Sequence, residues 1–146
     1  MADMRLEIVT AERVVYSEDV SVLVAPGIDG ELGVLPRHAP LLTMLKPGEI
    51  RVVKDGEESF MAVSGGFLEV LGNKVTILAD AAERVEEIDV QRAEEALNRA
   101  RERVEASSGD LDLERALASL RRSEARLKVS RRPRHRRNGA PPQSLQ

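Results

Sequence analysis

The stretch "GFLEVLGNKVTILADAAERVEEIDVQRAEEALNRARERVEA", residues 66–106, changes its hydrophobic period partway along. Leu68 and Val70, then Val75 and Ile77, occupy alternate positions, the period of a strand with one buried face. Gly72-Asn73 separates the two runs and reads as a hairpin turn. The period switches at Ile88. From Asp89 onward, Ala93, Ala96, Leu97, Ala100 and Val104 share one face of a helix. Asp89 has the short acceptor side chain that an N-cap needs, and Ile88 with Ala93 has the spacing of a hydrophobic staple. A β-rich part therefore ends near residue 87, and a helical part begins.

Upstream, residues 4–78 read as strands. "MRLEIVT" (4–10) sets Met4, Leu6 and Ile8 against Arg5 and Glu7. "DVSVLVAP" (19–26) alternates through Val20, Val22 and Val24 and reads as one strand. "EIRVVKDGEESFMAVSG" (49–65) reads as a hairpin turning at Asp55-Gly56, a preferred type I′ pair. Many short strands at this spacing imply an antiparallel β-sandwich or flattened barrel over residues 1–87. Downstream, Ser107-Ser108-Gly109-Asp110 interrupts the helix, and Leu113, Ala116, Leu117, Leu120 and Leu127 then repeat a helical face. Two amphipathic helices joined by a short polar turn make an antiparallel hairpin over residues 88–129. Its apolar stripes are thin and alanine-rich. Alanine buries little area, so the hairpin is expected to be held weakly and to be a moving part. From Ser130 on, "SRRPRHRRNGAPPQSLQ" has no apolar period and reads as a basic, Pro-containing disordered tail.

Composition narrows the function. Tyr16, Phe60 and Phe67 are the only aromatics among 146 residues, too few for the stacking platforms of single-strand nucleic-acid binders. There is no cysteine, which removes disulfides and thiolate chemistry and suits a reducing compartment. No apolar run is long enough to span a bilayer, and no signal peptide opens the chain, so a cytosolic protein is expected, with a membrane complex still open to it. The net charge of −3 hides an asymmetry, because residues 121–137 carry nine Arg or Lys against one Glu. An acidic body with a basic arm implies an anionic partner at that end.

Three features compete for function. The loop "GIDGELGVLPRHAPL" (27–41) lacks a helix after its glycines, so it is no phosphate loop. His38 has no nucleophile or acid partner in the pattern, and the only other histidine, His135, lies in the tail, so neither catalysis nor a metal site is assembled. A rigid turn is the simplest account of the loop, and a docking surface is the alternative. Arg92, Arg99 and Arg103 fall within about 40° on one helical face, as do Arg115, Arg122 and Arg126 on the next. Solvated arginines paired with Glu95, Glu102 and Glu105 explain them on spacing alone; converged stripes around a polyphosphate are the alternative. The arm itself is either a solubilising tail or a ligand for an acidic protein, nucleic acid or anionic lipid.

"PGIDGELGVLPRHAPLL" (26–42), "SGGFLEV" (64–70) and "IDVQRAEEALNRA" (88–100), ahead of a helical hairpin, together resemble the epsilon subunit of the bacterial F-type ATP synthase. The likeness covers roughly residues 4–129. It implies a non-catalytic central-stalk subunit, peripheral on the cytoplasmic face of the membrane. Its β-sandwich would bind the gamma subunit on one side and the ring of c subunits on another. Glu31 would face the polar loops of that ring, with His38 nearby in the rotor contact. The hairpin would lie down on the sandwich during turnover. Raised, it would carry Arg121, Arg122, Arg126 and Lys128 to an acidic segment of a catalytic beta subunit and block hydrolysis. Some members bind ATP in the lowered state through an Ile/Leu-Asp-x-x-Arg-Ala motif, which Ile88-Asp89-Val90-Gln91-Arg92-Ala93 matches. The resemblance thereby assigns Glu83, Ile88, Asp89, Arg92, Ala93, Arg99, Arg122 and Arg126 to a nucleotide site, with ATP a regulatory ligand and no cofactor or metal required. From another class, a free-standing nucleotide- or nucleic-acid-binding regulator would use the basic arm. Scarce aromatics and an acidic body count against it.

Overall fold

The computed structural model describes residues 3–133. Most of the segment read as a tail, with His135, lies outside the described residues. Ten strands come first: β1 (Met4–Val9), β2 (Val14–Val20), β3 (Val22–Gly27), β4 (Gly30–Val34), β5 (Leu41–Leu45), β6 (Gly48–Lys54), β7 (Glu57–Val63), β8 (Gly66–Leu71), β9 (Lys74–Ala79) and β10 (Ala82–Arg84). A 3₁₀ turn, Val85–Glu87, leads to α1 (Val90–Ala106) and α2 (Asp110–Ser130).

The strands form one path, β10-β7-β6-β3-β5-β8-β9-β1-β2, with β4 paired to β3. All pairings are antiparallel except β1 with β9, which is parallel. The path folds over so that its ends meet. Arg84 of β10 donates from both Nε and Nη2 to the Val15 carbonyl of β2, and its guanidinium lies 5.4 Å from the Tyr16 ring centre. The result is a nearly closed β-sandwich. Its interior takes the inward residue of each alternation, including Leu6, Ile8, Leu23, Ile50, Leu68 and Ile77, all fully buried. Arg5 and Glu7 of β1 point outward, as the alternation requires.

Several local readings hold. Asp55 and Gly56 sit at φ 51° and 78°, the double positive φ of a type I′ turn, and close the β6–β7 hairpin between Lys54 and Glu57. Gly72 has φ 54° in the two-residue turn between β8 and β9. Asp89 Oδ1 accepts from the Arg92 backbone N–H at 3.1 Å and caps α1.

Residues 19–26, read as one strand, are two. The chain bends at Ser21, whose N–H and hydroxyl both donate to the Val53 carbonyl, at 2.9 and 3.0 Å. Before it β2 pairs with β1; after it β3 pairs with β6. Alternation persists through such a corner, because it records burial and not the identity of the neighbour. Residues 27–41, read as a loop, contain a β-hairpin in which β3 returns as β4 through Ile28-Asp29. A Cβ on Gly27 would stand 2.7 Å from the Gly30 carbonyl oxygen, so the tight return needs glycine there.

Candidate functional site at the hairpin seat

Helix α1 packs on α2, and α2 lies against β6 and β7 of the sandwich. A second, smaller cluster joins them to it: Phe60 and Ala62 of β7, Val85, Ile88, Ala93, Leu97, Leu127 and Val129. The staple pair Ile88 and Ala93 is buried in this seat, so those two residues serve packing whatever else they do. Around the cluster are polar attachments. Arg126 Nε donates to Glu83 Oε2 at 3.1 Å, tying α2 to β10. Arg13 Nη2 lies 2.6 Å from Glu87 Oε2 and secures the linker before α1.

The assigned nucleotide residues converge in part. Glu83, Arg122 and Arg126 line a recess of about 190 Å³, with Ser64, Ser119 and Ser123 at its walls. Ala96 of α1 also lines it, and Arg92 and Arg99 stand one turn to either side of Ala96 on the same helical face, both exposed. At the hairpin tip Arg103 and Arg115, one from each stripe, share a second recess. The described recess is smaller than the roughly 300–1,000 Å³ of a typical small-molecule pocket. It has the size and donors for a phosphate chain: two guanidiniums and three hydroxyls. Glu83 is the group that phosphate would displace from Arg126. Asp89 spends one carboxylate oxygen on the α1 cap.

Of the basic arm, Arg121, Arg122 and Lys128 are exposed and Arg126 is half-buried against Glu83. Lys128 lines a cleft with Arg132 of the chain just beyond α2 and with Glu31, Glu49, Arg51 and Glu58 of the sheet. Glu31 thus stands on the hairpin side of β4. His38 is anchored elsewhere. Its Nδ1 is 2.7 Å from the Ala39 carbonyl, so that nitrogen carries the proton. Its turn is held by Asn73, whose Oδ1 accepts from the Arg37 N–H at 2.9 Å while Nδ2 donates to the Asp3 carbonyl at 2.7 Å. Arg37 adopts φ 63° in that turn.

A second surface was not anticipated from sequence. On the outer face of β5, β8 and β9, Met44 is paired with Phe67 and Phe67 with Leu78. All three are about half exposed, Leu42 beside them is 71% exposed, and Ile28 at the β3–β4 turn donates its N–H to the Met44 carbonyl. Single exposed apolar residues are ordinary, but a contiguous set across three strands marks a surface that expects a partner. The outward positions of each strand are visible in sequence; that three strands stack them side by side is not.

The architecture is that of a two-part protein, a β-sandwich carrying a helical hairpin on one face and an apolar docking patch on another. Residues 3–85 match the family model for the β-sandwich domain of the ATP synthase delta/epsilon chain, and residues 86–131 match the model for its long α-helix domain. The chain belongs to this ATP synthase delta/epsilon family. It is 53% identical over 133 residues to the ATP synthase epsilon chain of Herpetosiphon aurantiacus, covering 91% of this chain and 98% of that one. It is 52% identical over 139 residues to the epsilon chain of Dehalococcoides mccartyi, covering 92% and 96%. Among solved structures it superposes on a chain of the Euglena gracilis mitochondrial ATP synthase OSCP/F1/c-ring assembly with a TM-score of 0.75 at 26% identity, over 86% of this chain and 79% of that chain. A chain of the Tetrahymena thermophila mitochondrial ATP synthase central stalk and c-ring shares the fold, with a TM-score of 0.65 at 14% identity, over 87% and 96%.

Proposed function

We propose that this chain is the epsilon subunit of a bacterial proton-translocating F-type ATP synthase, a non-catalytic part of the central stalk at the cytoplasmic face of the membrane. It couples rotation of the c ring to ATP synthesis in the catalytic head and restrains hydrolysis through its hairpin. The observation that carries this reading is the division of the chain into a large-residue sandwich and a hairpin seated on it by a small cluster with a few ion pairs at its rim. The apolar face of β5, β8 and β9 suits an apolar surface of the gamma subunit. The Arg37-His38 turn suits the polar loops of the ring, whereas Glu31 lines the cleft under the hairpin. Among the described residues no helix is long and apolar enough to cross a membrane, which fits attachment through partners.

In the seated hairpin Arg126 is neutralised by Glu83, and Lys128 faces the carboxylates of its cleft. Lifting the hairpin frees both, together with Arg121 and Arg122, for an acidic segment of a catalytic beta subunit. ATP would bind the seated state. Arg122 and Arg126 would hold its phosphates, with Arg92 and Arg99 on the adjoining helical face and Asp89 fixing the start of α1. A ligand that binds one state alone favours it by mass action. The test is ATP hydrolysis by an alpha–beta–gamma assembly with added full chain, or with a variant ending at Glu87 whose folding is checked by circular dichroism. Inhibition by the full chain only, relieved as ATP rises, is expected. Equal rates with the two would leave a coupling part without a brake.

A further inference from the structure

One bidentate attachment of the hairpin lies outside every residue assigned to nucleotide. Residues 131 and 132, just past α2, turn back toward the sandwich. Arg131 and Arg132 donate their backbone N–H groups to the Lys128 and Val129 carbonyls, at 3.3 and 2.9 Å, and the Ser130 hydroxyl donates to the Leu127 carbonyl. Leu127 and Val129 are buried in the seat, so this closing turn is fixed from below. It aims Arg132 back at the sheet. There Arg132 donates Nε and Nη2 to the two carboxylate oxygens of Glu49, at 2.8 and 2.9 Å, and its guanidinium lies 4.8 Å from the Phe60 ring centre. The Glu49 side chain is only 13% exposed. A bidentate fork on a mostly buried carboxylate, with an aromatic face beneath the cation, is the arrangement in which Arg is hardest to replace.

We propose that Arg132, Glu49 and Phe60 form a clasp that keeps the hairpin seated in the absence of ATP. The inference rests on the moving-hairpin reading and specifies its regulation. Two features separate the clasp from the nucleotide site. Arg126 must exchange Glu83 for phosphate when ATP binds, whereas Arg132 keeps Glu49 throughout. The cleft is also charge-balanced only when the hairpin is down. Lys128, Arg132 and Arg51 then face Glu31, Glu49 and Glu58, and Arg51 is 3.6 Å from Glu58. Lifting α2 removes two of the three cations and leaves three carboxylates around Arg51, which repel one another. The bare sheet therefore attracts the arm back. In the free subunit the hairpin is therefore down before ATP is added; the catalytic assembly must draw it up against the clasp to be inhibited, and ATP opposes that step.

The chain has no cysteine, so spin labels can be placed on the full-length protein at Asp29→Cys and Glu124→Cys, and their separation read by pulsed electron paramagnetic resonance. Wild type should show a single short-distance population without ATP and the same population with it. Arg132→Ala should lower the seated-to-lifted ratio by about tenfold, as expected for loss of a charge-assisted bidentate pair. Arg132→Lys should fall between, and the swap Glu49→Arg with Arg132→Glu should recover most of the seated state. Added ATP should reseat the Arg132→Ala hairpin. An Arg132→Ala population identical to wild type, or a wild type that is seated only with ATP, overturns the clasp. If Arg132→Ala lifts the hairpin but does not increase inhibition of an alpha–beta–gamma assembly, the clasp stands and the brake reading fails.

Discussion

The sandwich interior and the hairpin seat are both apolar, but they are built from different residues. Inside the sandwich the buried side chains are large: Leu6, Ile8, Leu23, Ile50, Met61, Leu68 and Ile77 are each under 2% exposed. The buried apolar residues of the helices are Ala93, Leu97, Ala100, Ala116, Ala125, Leu127 and Val129, and of these only Ala93, Leu97, Leu127 and Val129 belong to the seat cluster. Each buried methylene is worth about 0.8 kcal/mol, so a seat of eight buried residues holds far less in total than a sandwich interior of twenty. Ion pairs at the rim, Arg126–Glu83 and Arg132–Glu49, supply what the apolar contact lacks and give it direction. On the proposed reading the chain is an anchor with a detachable arm, and the ion pairs at the seat make the arm's position sensitive to charge.

Mutations can break that contrast or sharpen it. The largest effect is expected at Gly66, where φ is 141° and an added Cβ would stand 2.1 Å from the Leu78 carbonyl oxygen. Gly66→Ala should cost more than about 4 kcal/mol and unfold the sandwich in urea titration, because backbone must move to admit it. Next comes a matched pair. Ile77→Ala in the sandwich should lower global stability by about 2–5 kcal/mol. Leu97→Ala in the seat should destabilise the hairpin's attachment by about 2–3 kcal/mol while the urea midpoint of the sandwich barely moves. A smaller and more local effect is expected from Arg126→Ala, which should weaken ATP binding at least tenfold by calorimetry without shifting sandwich stability. The smallest is Asp89→Ala. Loss of the N-cap should cost about 1 kcal/mol, confined to faster amide exchange in the first turn of α1.

An alkaline titration adds a check on the anchor. Burial raises the Tyr16 hydroxyl above its ordinary pKa, and the nearby Glu18 carboxylate pushes the same way. The folded state therefore holds the proton that the unfolded chain releases first. Stability contributed this way is intact below the ordinary tyrosine range and lost as pH rises through it. Tyr16→Phe should flatten that alkaline decline in a thermal melt.

Local chemistry was legible in the sequence where the cause is itself local. The alternation of β1, the Asp55-Gly56 turn, the Asp89 cap and the helical faces each depend on a few neighbouring residues. The corner at Ser21 and the parallel pairing of β1 with β9 depend on strands far away in sequence, and a period of two carries no partner's address. β4 was hidden by its glycines, which signal turns rather than strands. Of the site, the arginine stripes were readable; Arg103 and Arg115 share a recess at the hairpin tip, and Arg122 and Arg126 line the recess beside Glu83. Arg132 was not singled out. It falls in a stretch with no apolar period, and only the turn after α2 reveals that it is aimed at Glu49. Two residues read as tail are ordered parts of the hairpin, since Ser130 closes α2 and Arg132 is attached to the sheet.

Native-state hydrogen exchange across the full chain at rising urea tests the division most directly. The account predicts two classes of amide. Those of α1 and α2 should open together at a distinctly lower free energy than those of β1, β6, β8 and β9, with a smaller dependence on urea because only the seat is exposed. A single opening shared by helices and strands, equal in free energy and in urea dependence, would mean one cooperative unit and would contradict the anchor and the detachable arm alike.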